Sequence, residues 1–513
     1  MVLVSFGGWR ACRQFLSTVG VLAVATGVSA ACSVGPDFEQ PAPPDTTSYL
    51  REQPTVLVGE AASGGEAQRL VEGMDIPGQW WTLLQSDDLN ALIQSALGGN
   101  PTIDEATAAL RAAREQAVAQ RATALPQIQA GLDVSQNQTA AGLSPVPVTG
   151  QSSYGLVAGR LQVTYLLDLW GVNARRTESA RALAMAQCFQ LQAAYLSLSS
   201  SLAVAAIQEA AVREQLRART TIIGAQRQTL DVLVRQTSAG LITGQEVAAQ
   251  RAAVAQAEAS LPALRKELAQ QRNQIAVLAG KLPAAPPSQE FDLSDFRLPA
   301  NLPLTLPSRL LEHRPDVRAS VERLRSASAL VGVATANKFP QLTLSGNALP
   351  QSLGLDGMLS PLSLGANLGV GLLQTLFDGG ALAARKRAAV ADYERAQAQY
   401  RLTVLNAFRE VADSLRALEH DAESAVGAYR AERAAEESLA IARTKLALGD
   451  VTYSAVLSAE LLYQQTVLER VRAQTNRLLA VVSLFQALGG GWWNTPSASC
   501  TDGNHEPTGT AFK

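Results

Sequence analysis

The cysteines and histidines of this chain, the residue types that most often bind metals or act as nucleophiles, are few and lie far apart. They are Cys12, Cys32, Cys188, Cys500, His313, His420 and His505. No two cysteines have the C-x-x-C spacing of a metal site, and the sequence has no nucleophile elbow or phosphate-binding loop. We therefore expect no enzyme, no metal site and no disulfide framework.

Cys32 is the one cysteine whose surroundings predict a modification. A short basic stretch precedes the apolar segment 15–28, which is too short for a comfortable membrane span. Small residues at 29–31 come directly before Cys32, as in the cleavage box of a bacterial lipoprotein. We therefore predict a signal peptide over 1–31 and a covalent lipid (palmitate) on Cys32. Ser29 departs from the usual aliphatic residue, and ordinary cleavage beside an unmodified cysteine is the alternative.

Long helices must position the rest of the chain. The apolar residues Val404, Phe408 and Val411 step by four and three, which places them on one helical stripe. Glycine breaks the pattern once, at 449–452, and no proline interrupts 379–489. The pattern predicts a helix near 380–448, on the order of 100 Å long, and a shorter helix that runs back.

The same hairpin occurs a second time, near 171–280, with its break at 240–243. Landmarks in the two copies pair at a nearly constant offset: Pro101 with Pro315, Asp168 with Asp378, Gly240 with Gly449, and Gly280 with Gly489. This agreement indicates an internal duplication of a unit larger than an ordinary solenoid repeat. The predicted segments are a signal peptide (1–31), a lipid anchor, tether and equatorial segment (32–100), a first repeat (101–280), a Pro-rich equatorial connector (281–313), a second repeat (314–491) and a disordered tail (492–513).

Each copy also contains two stretches in which apolar and polar residues alternate. They lie near 127–135, 157–165, 341–348 and 362–372. Each is about ten residues long, the length of a strand that crosses an outer membrane at a tilt. A soluble sandwich would alternate as well, but Gln, Asn, Ser, Thr and Gly on the polar face are typical of the wet lumen of a barrel.

Four strands cannot close a barrel, and an open edge in lipid would leave backbone groups unpaired. If these strands span a membrane, the barrel must be shared, with eight strands in a dimer or twelve in a trimer. The wide Ala- and Gln-rich helical faces favour side-by-side packing into a hollow cylinder. The predicted fold class is therefore mixed α+β, mainly α. The formal net charge of −2 gives no case for a nucleic-acid partner.

Several separate motifs add to this pattern. They are Cys32–Phe38 (CSVGPDF), Trp80-Trp81, Asn100-Pro101, Arg314-Pro315-Asp316-Val317 and Leu376–Gly380 (LFDGG). Together with the duplication they resemble the outer-membrane factor family of TolC- and OprM-like efflux channels, and within it the NodT-type lipoprotein branch. The resemblance covers nearly the whole mature chain.

The resemblance implies a homotrimer in the bacterial outer membrane. Duplicated helical hairpins would form a periplasmic α-barrel, and four transmembrane strands from each subunit would form a shared twelve-stranded β-barrel. The partners it implies are outer-membrane lipid, a periplasmic adaptor protein and an inner-membrane pump, most often of the resistance-nodulation-division type. The implied function is passive conduction of drugs or toxic compounds, as in multidrug resistance, with no cofactor beyond the lipid.

The resemblance also implies that the hairpin tips dock the adaptor and gate the channel. By motif these residues are Gly240, Leu241, Thr243, Gly449, Asp450 and Thr452. In relatives, an acidic residue a little over two turns into the last helix often helps to hold the gate. Ser458 stands at that position here, and Glu460 follows. Asp450 or Glu246 are the carboxylates that would replace the usual lock, although either also fits a solvated group near a tip.

Two other functions remain open at this point. One is an exit channel for type I protein secretion or metal export, although the lipid-anchor signal favours small-molecule efflux and no His- or Met-rich tract is present. The other is a lipid-anchored periplasmic coiled-coil scaffold, which explains the helices but gives the four strands no role. The sequence does not encode the cargo, the pump or the adaptor.

Overall fold

The computed structural model describes residues 34–46, 48–52, 56–57, 67–138, 153–353, 360, 363–494 and 500. The predicted signal peptide and Cys32 lie outside the described residues. By contacts the chain divides into two compact units. Unit 1 comprises Met1–Gln40, Arg111–Ala184 and Val321–Gln399, and unit 2 comprises Pro41–Leu110, Met185–Ser320 and Tyr400–Lys513.

The helices of the described residues follow the predicted duplication. They are α1 (Asp87–Leu97), α2 (Pro101–Ala122), α3 (Val172–Ser238), α4 (Gly244–Ala259), α5 (Leu261–Leu278), α6 (Pro307–His313), α7 (Pro315–Ala336), α8 (Ala381–Leu448) and α9 (Tyr453–Ala487). The two long limbs, α3 and α8, have 67 and 68 residues. At 1.5 Å per residue each is about 100 Å long, which confirms the predicted long helices.

The returning limbs of the two copies differ. The second copy returns in one helix, α9, whereas the first returns in two, α4 and α5, which meet at Ser260. Pro262 stands in the first turn of α5, where its missing N–H and fixed φ suit a new helix start but not a continuous ladder. By length and composition α3 also contains a window apolar enough to cross a membrane, but 67% of that window is buried, as in a packed core helix.

The strands are β1 (Val56–Leu57), β2 (Gln68–Glu72), β3 (Gln127–Gln138), β4 (Ser153–Leu167), β5 (Asn301–Leu304), β6 (Gln341–Ser352) and β7 (Leu364–Leu373). The four predicted strands form one antiparallel sheet of unit 1, in the order β3-β4-β6-β7. The strand prediction is therefore confirmed.

The register of this sheet separates its two faces. One row across all four strands is polar and consists of Gln129, Gln162, Asn347 and Asn367. The adjacent row lies on the opposite face and consists of Ile128, Val163, Gly346 and Leu368. Large apolar side chains on the second face are open to solvent, with Leu368 91% exposed and Ile128 69% exposed. The sheet thus presents one continuous apolar face and one polar face.

A second, smaller sheet was not predicted. In unit 2, β2 of the predicted tether pairs in parallel with β5 of the predicted connector, from Arg69 opposite Asn301 to Glu72 opposite Leu304. The side-chain amide of Gln68 also donates to the carbonyl of Pro299 at 2.8 Å. The two segments are therefore held together in one sheet with β1. Short strands next to prolines carry little alternation, which is why the sequence pattern missed them.

The sequence predicts no disulfide framework, but one disulfide is present. Cys188 and Cys500 are joined by a disulfide, with their Cα atoms 5.8 Å apart, although 312 positions separate them in the sequence. Sequence spacing cannot reveal such a pair, because only the fold brings a helix residue of α3 next to the tail. Disulfides of this kind persist in the oxidising bacterial periplasm.

The prediction of a disordered tail from 492 is also wrong for its first residues. Trp492–Asn494 form a 3-10 turn in unit 2. The Trp492 indole donates to the carbonyl of His313 at 2.6 Å, and the Trp493 ring stacks on the His313 ring at 3.8 Å. Apart from Cys500, the rest of the tail lies outside the described residues.

Both copies close their hairpins at the base in the same way. The residue before the first proline of each copy is buried and donates to a carbonyl at the end of the returning limb. Asn100 donates to Leu278 at 2.6 Å, and Arg314 donates to Ala487 at 2.9 Å. In addition, a Cβ on Gly280 would lie 2.6 Å from the Gly99 carbonyl oxygen, and one on Gly489 would lie 2.9 Å from that of His313. These matching contacts explain why the prolines and glycines of the two copies align.

Candidate functional site: the hairpin tips

The two hairpin tips turn by the same hydrogen bonds. At the first tip Gly240 donates to Thr237 and Leu241 donates to Gln236, both at 3.0 Å. At the second tip Gly449 donates to Leu446 at 3.1 Å and Asp450 to Lys445 at 2.9 Å. Each pair satisfies carbonyls at the end of the long helix, and each glycine has a positive φ, of 76° and 84°.

The predicted residues of the first tip are exposed. Leu241 is 72% exposed, and Thr243 precedes the first residue of α4. The Glu246 carboxylate accepts from the Thr243 N–H at 2.8 Å and from its hydroxyl at 3.0 Å, as in a capping box. Glu246 is thus bound to its own helix start, and its role in a gate remains a prediction.

The predicted residues of the second tip are also exposed. Asp450, Thr452 and Ser458 all face solvent. The Thr452 hydroxyl lies 2.8 Å from that of Ser454, and the Ser458 hydroxyl donates to the Ser454 carbonyl at 3.0 Å. The docking and gating roles of these residues remain predictions.

The tips are joined within unit 2 by an apolar cluster. Leu233 of α3, Val247 of α4 and Tyr453 of α9 are buried together. The partly buried residues around them are Leu230, Ile242, Leu446 and Leu457. The first turn of α9 is therefore fixed against the first hairpin, close to the second tip.

Polar contacts cross the same junction. The Tyr453 hydroxyl donates to the side-chain oxygen of Gln250 at 2.5 Å, and the Gln250 amide donates to the backbone carbonyl of Gln226 at 2.9 Å. Burial raises the pKa of Tyr453 to about 12, so its hydroxyl stays protonated as a donor at neutral pH. Tyr453 thus links the second hairpin to both helices of the first.

Glu460 is the buried carboxylate of this region. It is 3% exposed, and the nearest guanidinium nitrogen of Arg443 is 4.0 Å away. Burial raises the pKa of the Glu460 carboxyl above its ordinary value, and the Arg443 charge offsets only part of this shift. The sequence motif identifies Glu460 only as a neighbour of Ser458. Its burial could have been predicted from its spacing, because Val456 and Gln464 lie four residues before and after it on the same helical face.

The predicted RPDV motif forms a buried polar contact elsewhere in unit 2. The Arg314 guanidinium binds both carboxylate oxygens of Asp316, at 3.0 and 2.7 Å, and Glu410 of α8 at 2.8 Å. Burial alone would lower the pKa of Arg314, but these bonds outweigh it and the net shift is upward. The motif therefore ties α7 to the last carbonyls of α9 and to α8.

The segment that follows Cys32 is fastened to unit 1. The Val34 N–H donates to the carbonyl of Trp170 at 3.2 Å, and Asp37 forms a 2.6 Å ion pair with the buried Arg175. A Cβ on Gly35 would lie 2.5 Å from the Cα of Gly332, so only glycine allows this approach. Trp170 lies three residues beyond the end of β4, so Val34 lies close to that end of the strand.

Comparison with known proteins identifies the class of protein. The family model of the outer membrane efflux protein matches the chain twice, over residues 92–281 and 306–490. The chain therefore belongs to the outer membrane efflux protein family.

Two relatives and one solved structure illustrate the match. The pyoverdine export outer membrane protein OpmQ of Pseudomonas putida is 29% identical, over 86% of this chain and 93% of its own length. The outer membrane protein OprJ of Pseudomonas aeruginosa is 28% identical, over 90% of this chain and 93% of its own length. The structure of the outer-membrane channel OprN superposes with a TM-score of 0.78 at 28% identity, over 90% of this chain and all of that chain.

These findings confirm the predicted family, function and location. The protein is an outer-membrane efflux channel, and its fold is the mainly helical fold of such channels. Its role is transport, in agreement with the few scattered cysteines and histidines of the sequence. Within the described residues, no group of three His, Cys, Asp or Glu comes together as a metal site would require.

Proposed function

We propose that this chain is the outer-membrane exit channel of a tripartite efflux system, and that it works as a homotrimer with a shared twelve-stranded barrel. The observation that carries the proposal is the sheet of unit 1. Its outer strands, β3 and β7, have no strand partner at their outer edges within the described residues. Unpaired edges in lipid cost several kcal/mol per group, and closure with neighbouring copies removes them.

The two faces of the sheet support the same arrangement. The exposed apolar row that ends at Leu368 suits lipid, and the polar row that ends at Asn367 suits a water-filled lumen. Asn347 and Asn367 are already hydrogen-bonded across β6 and β7 at 3.0 Å. The strands have 10 to 15 residues, which is enough to span the apolar layer at a tilt.

A covalent lipid on Cys32 completes the proposed membrane attachment. The support is the position of the next described residues, because Val34 is bound to Trp170 and Asp37 to Arg175, three and eight residues beyond the end of β4. A lipid close to residue 34 would therefore enter the same bilayer as the strands. The mass of the mature N-terminal peptide tests this point: acylated Cys32 is expected, and an unmodified cysteine would contradict it.

The proposed partners are a periplasmic adaptor, which docks on the tips, and an inner-membrane pump of the resistance-nodulation-division type, which supplies the energy. The exposed side chains of Leu241, Thr243, Asp450 and Thr452 are available for such docking. The proposed cargo is a small molecule, such as a drug or another toxic compound. One relative, OpmQ of Pseudomonas putida, is a pyoverdine export protein.

The decisive experiment combines the mass of the purified protein in detergent with single-channel conductance in a planar bilayer. A trimer with small and mostly closed openings is expected. A monomer without conductance would overturn the proposal in favour of a lipid-anchored scaffold.

A matched pair of variants tests the barrel itself. Leu368→Arg places a charge on the apolar face at a cost of about 2–4 kcal/mol near the bilayer centre, and it is expected to abolish heat-stable trimers. Asn367→Arg places the same charge on the polar face one residue away, and trimers are expected to form. Equal behaviour of the two variants would contradict the assignment of the faces.

A further inference from the structure

Three consecutive basic residues, Arg385, Lys386 and Arg387, lie near the start of α8, as the fifth to seventh residues of this helix. Arg385 and Arg387 are exposed, and Lys386 is partly exposed. None of the three forms an ion pair with a carboxylate of the described residues. Cations close to a helix N-terminus oppose the helix dipole, so the stability of α8 does not account for them. We call these three residues the basic cluster.

The matching turn of the first copy has a different charge. α3 and α8 each begin directly after a glycine of positive φ, which is Gly171 at 79° and Gly380 at 89°. The seventh residue after this glycine is Glu178 in the first copy and Arg387 in the second. An acidic position of the first copy is therefore basic in the second.

The first copy neutralises its own basic residues at this turn. Arg175 of α3 binds Glu178 at 2.8 Å and Asp37 at 2.6 Å, and the Asp37 side chain is 92% exposed. Both anionic partners thus come from the same chain. The basic cluster of the second copy has no such partner among the described residues, and it is open to an anion from outside the chain.

An apolar surface adjoins the basic cluster on the side of the sheet. Leu376 and Phe377, in the link from β7 to α8, are 93% and 90% exposed. Leu368 and Leu372 continue this surface along β7, with exposures of 91% and 68%. An exposed apolar surface that is followed by clustered cations fits a membrane interface, where phosphate groups lie just outside the acyl chains.

The position of the basic cluster along α8 fits the thickness of a headgroup layer. Arg385 lies about 6 Å along the helix from its first residue, and Arg387 about 9 Å. The headgroup region on each side of a bilayer is about 5–8 Å thick. Arginine and lysine side chains also extend towards the interface while their stems pack below it, so all three charged groups can reach phosphates.

The three side chains point in different directions around α8. Consecutive residues of a helix are about 100° apart, so the basic cluster covers about 200° of the circumference. One neighbouring helix cannot cover all of this arc. Part of the basic cluster therefore stays accessible to lipid in an assembly of several copies.

We propose that the basic cluster binds the phosphate groups of anionic phospholipids, in the leaflet of the outer membrane that faces the periplasm. This proposal rests on the proposed function, because it requires that β7 spans the outer membrane. The guanidinium groups of Arg385 and Arg387 donate paired hydrogen bonds to phosphate oxygens, and the Lys386 ammonium adds a third charge. Leu376 and Phe377 contact the acyl chains. A lipid with a net negative charge binds more tightly than a zwitterionic lipid with the same phosphate.

The test measures which lipids the full-length mature protein retains. The purified protein is mixed in detergent with equal amounts of anionic phosphatidylglycerol and zwitterionic phosphatidylethanolamine, and native mass spectrometry counts the lipids that remain bound. We expect the wild type to prefer phosphatidylglycerol by at least about fivefold, the effect of one basic residue close to an anionic surface. The triple variant Arg385→Gln, Lys386→Gln and Arg387→Gln is expected to lose this preference, and higher ionic strength is expected to weaken it in the wild type.

A matched triple variant on the same helix is the control. Arg401→Gln, Arg409→Gln and Arg433→Gln remove the same charge from exposed positions farther along α8, and the wild-type preference is expected to persist. Arg385→Lys together with Arg387→Lys keeps the charge but removes the paired donors. We expect this variant to prefer the anionic lipid less strongly than the wild type, but still to prefer it.

The outcomes separate the two proposals. If the triple variant of the basic cluster keeps the wild-type preference, the lipid proposal is overturned and the channel stands. The lipid proposal is also overturned if the wild type shows no preference while the triple variant no longer forms a trimer, because the basic cluster then binds a neighbouring copy. A wild type that is a monomer without conductance contradicts the proposed function itself. If only the triple variant fails to assemble, Arg385→Gln and Arg387→Gln are measured singly, and each must lower the preference.

Discussion

In the first hairpin the returning limb is divided at Pro262, and the acidic residue at its tip, Glu246, is bound to Thr243 as a helix cap. In the second hairpin the returning limb is one unbroken helix, the tip carboxylate Asp450 is exposed, and Glu460 is buried two turns beyond the tip. The backbone turns at the two tips use the same hydrogen bonds. Duplication has thus kept the turns and the base contacts, while the side chains near the tips have diverged. These differences predict that the first hairpin is held in place more firmly and that the second moves when the channel opens.

The largest expected effect concerns a link that only the first copy has. Cys188→Ser or Cys500→Ser removes the disulfide and is expected to lower the free energy of unfolding by about 4 kcal/mol, because the closed loop is long. Urea titration in detergent measures this change. The double variant should equal either single one, since all three lack the same bond. Additive losses would show that the two cysteines act separately.

The next effect should be equal in the two copies. Gly280→Ala and Gly489→Ala each introduce a Cβ against a backbone carbonyl at a positive φ. Each is expected to cost about 2–3 kcal/mol, measured by the same titration. Gly427→Ala is the control, because Gly427 lies within α8 with open space around it, and it should be neutral or stabilising. A large difference between the stability losses of Gly280→Ala and Gly489→Ala would show that the two hairpins are not closed in the same way at their bases.

A smaller effect on stability should distinguish the bases of the two hairpins, because different side chains close them. Asn100→Ala removes one buried hydrogen bond and is expected to cost about 1 kcal/mol. Arg314→Ala removes the matching bond and also leaves Asp316 and Glu410 without their partner. Because those carboxylates are 43% exposed, we expect a moderate loss of about 2 kcal/mol. Thermal unfolding in detergent measures both losses of stability. Equal losses for Asn100→Ala and Arg314→Ala would show that the extra bonds of Arg314 do not contribute.

The smallest effect concerns the caps at the tips. Thr243→Ala disrupts the capping box with Glu246 and is expected to cost about 1 kcal/mol. Thr452→Ala should cost less, because the Thr452 side chain forms no cap bond with the backbone of α9. Hydrogen exchange of the first turns of α4 and α9 measures the difference locally. A greater loss at Thr452 would contradict the view that the first tip is the more firmly fixed.

The sequence predicts much of this fold, because it contains helical stripes, strand alternation and a repeated set of prolines and glycines. The Val404, Phe408 and Val411 stripe and the alternation from Ile128 onward correspond to α8 and β3 as described. The matched prolines and glycines correspond to contacts at the hairpin bases. These features are local or repeated, so that a single chain displays them.

Features that depend on distant contacts could not be predicted in this way. The pairing of β2 with β5 and the bond between Cys188 and Cys500 join segments whose local patterns carry no sign of each other. At the tips, the family motif corresponds to Ser458, which is exposed. Burial of Glu460 depends on how α9 packs against the other helices. The sequence does not predict it, since a lone carboxylate in a helix usually indicates a solvated face.

The measurement that tests the central claim most directly is single-channel conductance of two tip variants side by side. Tyr453→Ala removes the hydrogen bond that links the second hairpin to Gln250 of the first, and Leu241→Ala trims an exposed side chain of the first. We expect Tyr453→Ala to give long, large openings and Leu241→Ala to conduct as the wild type. Equal conductance of the two variants, with the wild type still forming channels, would contradict the claim that the second hairpin closes the channel.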